Sequence, residues 1–122
     1  MSMATKEATL YNFYSQFLPA YEENSVPDDA VLPYITYNMV TDDFGAEIAL
    51  TVSVWYRETS WANCNAKTRE IETAVSAGGI MLPCDGGGIW LKRGTPFAQN
   101  MADDDDQIRR KYINLTAEYI TL

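Results

Sequence analysis

The sequence predicts an α+β fold: one mainly antiparallel, mixed sheet of about five strands with two helices packed on one face. Three observations carry that expectation. Residues 46–57 alternate over a long run. Ala46, Ile48, Leu50, Val52, Val54 and Tyr56 fall on one side, and Glu47, Ala49, Thr51, Ser53, Trp55 and Arg57 on the other. Period 2 sustained over that length marks a half-buried strand. Residues 108–121 alternate again, with Ile113, Leu115, Ala117 and Tyr119 facing one way. The order of segments is helix, strand, strand, helix, strand, strand, strand, so helices do not alternate with strands as a doubly wound parallel sheet requires.

Each element has its own local reason. Residues 5–18 place Leu10, Tyr14, Phe17 and Leu18 at helical spacing, with Thr5 as the cap and Pro19 as the stop. Residues 20–32 read as a loop holding Glu22, Glu23, Pro27, Asp28 and Asp29, long enough to have a role of its own. Residues 33–41 are rich in β-branched and aromatic side chains and read as a strand. The short turn Asp42-Asp43-Phe44-Gly45 then joins it to residues 46–57 as an antiparallel hairpin. A second helix is expected over 61–77, capped by Ser60 and ended by Gly78-Gly79. Its inner stripe is Trp61, Cys64, Thr68, Ile71 and Val75, and its outer face Lys67, Arg69, Glu70 and Glu72. A second hairpin runs from Ile80-Met81-Leu82 through 83–88 to 89–93. Residues 94–107 read as a polar, acidic loop, and the last strand follows.

The 122 residues suit one domain, spanning 1–122, and folding at this length buries about two-thirds of the surface. Nine basic against seventeen acidic side chains leave a net charge of −8. That sign opposes a protein that holds nucleic acid by neutralising phosphates, or a membrane by a basic patch. The chain has no histidine. The commonest general base, the commonest metal ligand and the Ser-His and Cys-His pairs go with it, so the composition leans away from an enzyme. No apolar run reaches signal-peptide or membrane-spanning length, and an intracellular, soluble site of synthesis is expected. Cys64 and Cys84 without histidine do not make a zinc site, and two buried thiols are expected rather than a disulfide.

Three features invite chemistry. The run Asp103, Asp104, Asp105, Asp106 offers carboxylate oxygens to Mg²⁺ or Ca²⁺, but it has no EF-hand spacing, and consecutive residues do not all point at one ion. A solvated loop is the plain alternative, and in a ring of copies the run would form a belt of negative charge. Gly86-Gly87-Gly88 leads into a strand rather than a helix, so it reads as a hairpin turn and not a phosphate loop. Trp55 lies on the more polar side of its strand and needs either a second layer over it or a partner.

Several segments together resemble a known family. They are Val26-Pro27, Pro33-Tyr34-Ile35-Thr36-Tyr37, Val54-Trp55-Tyr56-Arg57 with Thr59-Ser60-Trp61, and Asp85-Gly86-Gly87-Gly88-Ile89-Trp90-Leu91-Lys92-Arg93-Gly94. Pro96-Phe97-Ala98-Gln99, Ile108-Arg109-Arg110 and Tyr112-Ile113-Asn114-Leu115 complete the order. In that order they resemble the tail terminator proteins (tail-to-head joining, tail completion) of long-tailed bacteriophages and prophages of the Firmicutes type. The resemblance covers residues 21–122; the first helix matches only in kind, and the two cysteines lie outside it.

The resemblance implies a structural virion protein at the head-proximal end of the tail. Such proteins cap the tail tube, end its polymerisation and join it to the head connector. They form rings, usually of six copies, around a channel through which DNA passes. It implies the tail tube protein, the head completion or connector protein and further copies of itself as partners, and neither cofactor nor catalytic residues. Trp55, Tyr56, Arg57 and Trp61 at the strand-to-helix junction are the candidate subunit or partner interface. Asp103, Asp104, Asp105 and Asp106 are the candidate channel lining. Another neck or tail protein, such as a head completion protein, is the first alternative, and a small acidic divalent-metal enzyme or ligand-binding domain the second.

Overall fold

The apolar row of residues 46–57 becomes part of the spine of a six-stranded sheet. The structure, a computed structural model, describes residues 4–40 and 47–121. Its elements are α1 (Lys6–Ser15), β1 (Ala20–Glu22), β2 (Tyr34–Tyr37), β3 (Glu47–Arg57), α2 (Ala62–Val75), β4 (Ile80–Cys84), β5 (Gly87–Met101) and β6 (Ile108–Thr121). The strand order is β1-β2-β3-β6-β5-β4. β1 runs parallel to β2, and every other neighbouring pair is antiparallel. The α+β expectation therefore holds, with six strands where about five were expected. The turn expected at Asp42-Asp43-Phe44-Gly45 lies outside the described residues, as do Thr41 and Ala46.

β3 and β6 are the centre. They pair without interruption from Glu47↔Glu118 to Arg57↔Ile108. Paired residues share a face, so Leu50, Val52 and Val54 line up with Leu115, Ile113 and Lys111. Ile35 and Tyr37 from β2, and Ile89 and Leu91 from β5, extend this apolar face across the sheet. Both helices cover it. Leu10, Phe13 and Tyr14 come from α1, and Cys64, Ile71 and Val75 from α2. The inner stripe expected for the second helix is buried at Cys64, Thr68, Ile71 and Val75. α1 touches β1 and β4, the two edges of the sheet, so the sheet curls around it.

Local chemistry sets the helix ends. The Thr5 Oγ1 accepts the Ala8 N–H at 3.1 Å, as its cap position requires. α1 stops at Ser15 rather than at residue 18. The residue before a proline disfavours helical geometry, and Phe17 and Leu18 turn in to pack on the core ahead of Pro19. The Pro19 carbonyl then accepts the Ile35 N–H at 2.9 Å and starts the β1–β2 pairing. That three-residue strand lies inside the expected 20–32 loop and is too short to leave a period. α2 takes Trp61 at its cap position rather than Ser60. Glu58 serves its free N–H groups instead: Oε1 accepts the Cys64 N–H at 3.2 Å, and Ser60 Oγ accepts that of Ala62 at 3.3 Å. The helix ends one turn's fraction early, at Ser76 with φ +62°, ahead of the expected glycine pair.

The 94–107 loop is the main correction. β5 continues to Met101, leaving only residues 102–107 as the connection. Pairing with β6 runs to Arg93↔Leu115, slips, and resumes at Ala98↔Ile113. Residues 94–97 bulge out opposite Asn114 alone, whose Nδ2 donates to the Pro96 carbonyl at 3.0 Å. A Cβ on Gly94 would sit 2.8 Å from the Asn114 backbone, so glycine is what lets the two strands approach there. The Gly-Thr-Pro signal that reads as a loop marks a bulge inside a strand. Pro83 sits in β4, an edge strand, the place in a sheet where proline is tolerated.

Candidate functional site: the uncovered sheet face and the acidic tip

The strand-to-helix junction does not present its four candidate residues together. Alternation along β3 sends Trp55 and Arg57 to the face away from the helices and Tyr56 to the helix side. Tyr56 packs against the core there, and burial raises its hydroxyl pKa. Trp61 also packs on the core edge. The Arg109 guanidinium lies 5.6 Å and the Lys111 ammonium 5.7 Å from its ring centre. Arg109 ties the junction to the acidic loop: its Nη2 donates to the Thr59 carbonyl at 2.7 Å and its Nη1 to the Asp106 carbonyl at 3.0 Å.

On the face that no helix covers, Trp55 is the centre of a layer. Its Nε1 donates to Thr36 Oγ1 at 2.8 Å. Arg110, its partner across the β3–β6 ladder, lies over the indole at 4.6 Å and over Tyr112 at 5.7 Å, while its Nε donates to Ser53 Oγ at 3.0 Å. Tyr34 stands 6.5 Å from Trp55, and Tyr21 meets Tyr34 edge-on at 5.6 Å. Thr36 and Ser53 are buried beneath this layer although they lie on the uncovered face. Sequence reasoning found Trp55 and missed Tyr21, Tyr34, Arg110 and Tyr112 as its companions. With Trp55 they come from four different strands, and only the register brings them together. The outward position of Trp55 was the available signal.

The aspartate run forms the exposed tip between β5 and β6. Asp103 Oδ1 accepts the Asp105 N–H at 2.9 Å, and Asp105 Oδ1 accepts that of Gln107 at 2.9 Å, so two of the carboxylates shape their own turn. Asp105 Oδ2 also meets Arg57 Nη1 at 3.4 Å, which places one candidate interface residue beside the candidate channel lining. Among the described residues, no three His, Cys, Asp or Glu side chains converge as a metal site, and no helix is long and apolar enough to cross a membrane. Cys64 and Cys84 are free and buried, and burial pushes the Cys64 thiol up to about 11. An unreactive thiol is the consequence, since the thiolate is the nucleophile.

No protein-family model matches the chain, and no curated protein matches it in sequence. A chain of a solved virion, that of a native gene transfer agent particle, is similar in structure. The TM-score is 0.63 at 17% identity, over 93% of this chain and 92% of that one. The two proteins share a fold from end to end.

Proposed function

We propose that this chain is a structural virion protein of the tail terminator kind: it caps the tail tube, ends its polymerisation and forms the joint to the head connector. The observation that carries the reading is the near end-to-end likeness in fold to a chain of a gene transfer agent virion. The ordered segments that resemble tail terminators, from Val26-Pro27 to Asn114-Leu115, support the finer role. The absence of histidine, and of an activated nucleophile among the described residues, favours assembly without turnover.

In this reading the protein works as a ring, most simply of six copies, at the head-proximal end of the tail. Its partners are the tail tube protein below and the head completion or connector protein above. The exposed aspartate tip lines the channel, where negative charge keeps DNA from adhering. The Trp55–Arg110 layer and Arg57 give the uncovered face the aromatic and arginine content typical of protein interfaces.

Deleting the gene from a phage or prophage that carries it tests the role. Tails of uncontrolled length, restored to uniform length by the protein supplied in trans, are expected. Tails of normal length beside heads that cannot join them would overturn the terminator role in favour of head completion. Normal virions would overturn both.

A further inference from the structure

The charge of this chain is unevenly spread. Residues 1–56 carry one basic side chain against eight carboxylates, while residues 57–122 carry eight against nine. Several of those later cations surround one groove. It lies between α2 and the distal half of β5, has a volume of about 440 Å³, and is lined by Thr68, Arg69, Glu72, Phe97, Ala98 and Lys111 among others. β4 pairs with β5 only between Gly87 and Leu91, so the outer edge of β5 beyond that point has no strand beside it among the described residues.

The cations here are held by neutral oxygens. Lys111 Nζ donates to Asn65 Oδ1 at 2.9 Å and to Asn100 Oδ1 at 2.7 Å. Arg93 donates twice to the Glu72 main-chain carbonyl, at 3.0 and 2.6 Å. Arg69 is exposed and makes no ion pair among the described residues. Among the described residues no carboxylate forms an ion pair with these three, and Glu72 is the one acidic side chain in the lining. A positive groove with Phe97 and Ala98 in its lining fits an acidic segment that also carries an apolar side chain.

The chain itself supplies that segment. The connection between β1 and β2 exposes Glu23, Asp28 and Asp29, next to Glu22 at the end of β1. Val31 in the same connection is 79% exposed, the most of any large hydrophobic residue described. Asp28 and Asp29 sit in a turn closed by the Ala30 N–H on the Pro27 carbonyl at 3.0 Å, and Val31 follows directly after it. Three strands separate the β1 edge from β5, so donor and receptor sit on different parts of the sheet.

We infer that the α2–β5 groove receives the acidic β1–β2 loop of a second copy. Asp28 and Asp29 face Arg69 and Lys111, and Val31 rests on Phe97 and Ala98. Donor and receptor differ, so the contact is heterologous and repeats from copy to copy. It deepens the ring reading and rests on it, but it is read on the purified protein with no tail present. Failure of the contact and failure of the terminator role are therefore separate results.

Sedimentation at rising protein concentration, in about 0.1 M salt where the Debye length is about 10 Å, reads it. The unmodified protein is expected to self-associate, and less so as salt rises. Arg69→Glu and Asp28→Lys, both at exposed positions, are each expected to raise the dissociation constant about tenfold, as is typical for opposed charges at a contact. Val31→Ser weakens it without touching charge. Mixing Arg69→Glu with Asp28→Lys restores growth with the two variants alternating, because one contact keeps the unmodified pair of charges and the next carries both charges reversed. Both changes in one chain restore growth. A protein that stays monomeric, variants that associate as tightly as the unmodified chain, or a mixture that does not recover would each overturn the inference.

Discussion

The two faces of the sheet are closed by different means. On one, two helices lay Leu10, Tyr14, Cys64, Ile71 and Val75 over Leu50, Val52, Ile113 and Leu115. On the other, the sheet covers itself. Arg110 stands over the Trp55 indole, and the pair donates hydrogen bonds to Ser53 and Thr36, both buried. The first closure excludes water by volume and contact. The second uses a guanidinium over an indole and two hydrogen bonds, and leaves the outer surface of the layer in solvent. The helix-covered face thus holds the fold, and the self-covered face turns its aromatic and arginine layer to solvent.

Truncation on the helix side has the largest effect expected. Leu115 is buried in the middle of β6, paired with Leu50 of β3 on the helix-covered face. Leu115→Ala removes its contacts and leaves a cavity, costing about 3 kcal/mol. A urea unfolding curve reads it as a lower midpoint at unchanged slope. A loss below about 1 kcal/mol would mean that the helices pack loosely, and the contrast between the faces would fail.

Arg110→Ala tests the other face and should cost about 1 kcal/mol. It removes the cation from Trp55, strips the partner from Ser53 Oγ and lets water onto the layer. Trp fluorescence at 25 °C reports the exposure directly. Arg110→Lys restores only part, because an ammonium keeps the charge but not the flat guanidinium or its Nε bond. If both variants equal the unmodified protein in stability and fluorescence, the layer does not close the face.

This difference also explains what was legible from sequence. Burial against a helix imposes a period, and the rows of β3 and β6 and the α2 stripe were readable one segment at a time. The Trp55 layer has no period, because Tyr21, Tyr34, Trp55 and Arg110 belong to four strands joined only by register. β1 hid for a related reason, being three residues long. The distal half of β5 hid behind Gly94 and Pro96, which announce a break and in fact form a bulge opposite Asn114. The candidate interface was legible as a neighbourhood and not as a surface, since alternation parts Tyr56 from Trp55.

The helix-covered face has its own flaw, which sharpens the comparison. The Tyr14 hydroxyl is fully buried beside Tyr37 with no hydrogen-bond partner among the described residues. Tyr14→Phe should therefore be neutral or stabilising, by up to about 1 kcal/mol. Alkaline pH separates the cases. Burial raises the Tyr14 pKa above 10.0 and moves that of Cys64 from 9.0 to about 11. Both groups are neutral when protonated, and the folded state holds those protons more tightly than the unfolded one. The Cys64 share is complete below pH 9 and is lost as pH rises through about 11, while the Tyr14 share begins to go only above pH 10 and is still being lost beyond that window. Thermal melts across that window should fall less steeply for Tyr14→Phe and for Cys64→Ala than for the unmodified chain. Parallel slopes would show that neither group is dry.

The smallest effect on stability is expected at the aspartate tip, and there the smallness is the point. Changing Asp103, Asp104, Asp105 and Asp106 to Asn keeps the side-chain oxygens that accept the Asp105 and Gln107 N–H groups, so the turn survives. It removes an exposed ion pair with Arg57, worth about 0.5 kcal/mol at most. Four negative charges go with it, half of the net −8. If the tip lines a channel, the loss should appear in contact with polyanions: DNA should retain the variant on a column to higher salt while its melt is unchanged. A clear drop in melting temperature would make the run structural. An unchanged column profile would take the channel role away from these aspartates and leave the tip as a solvated turn.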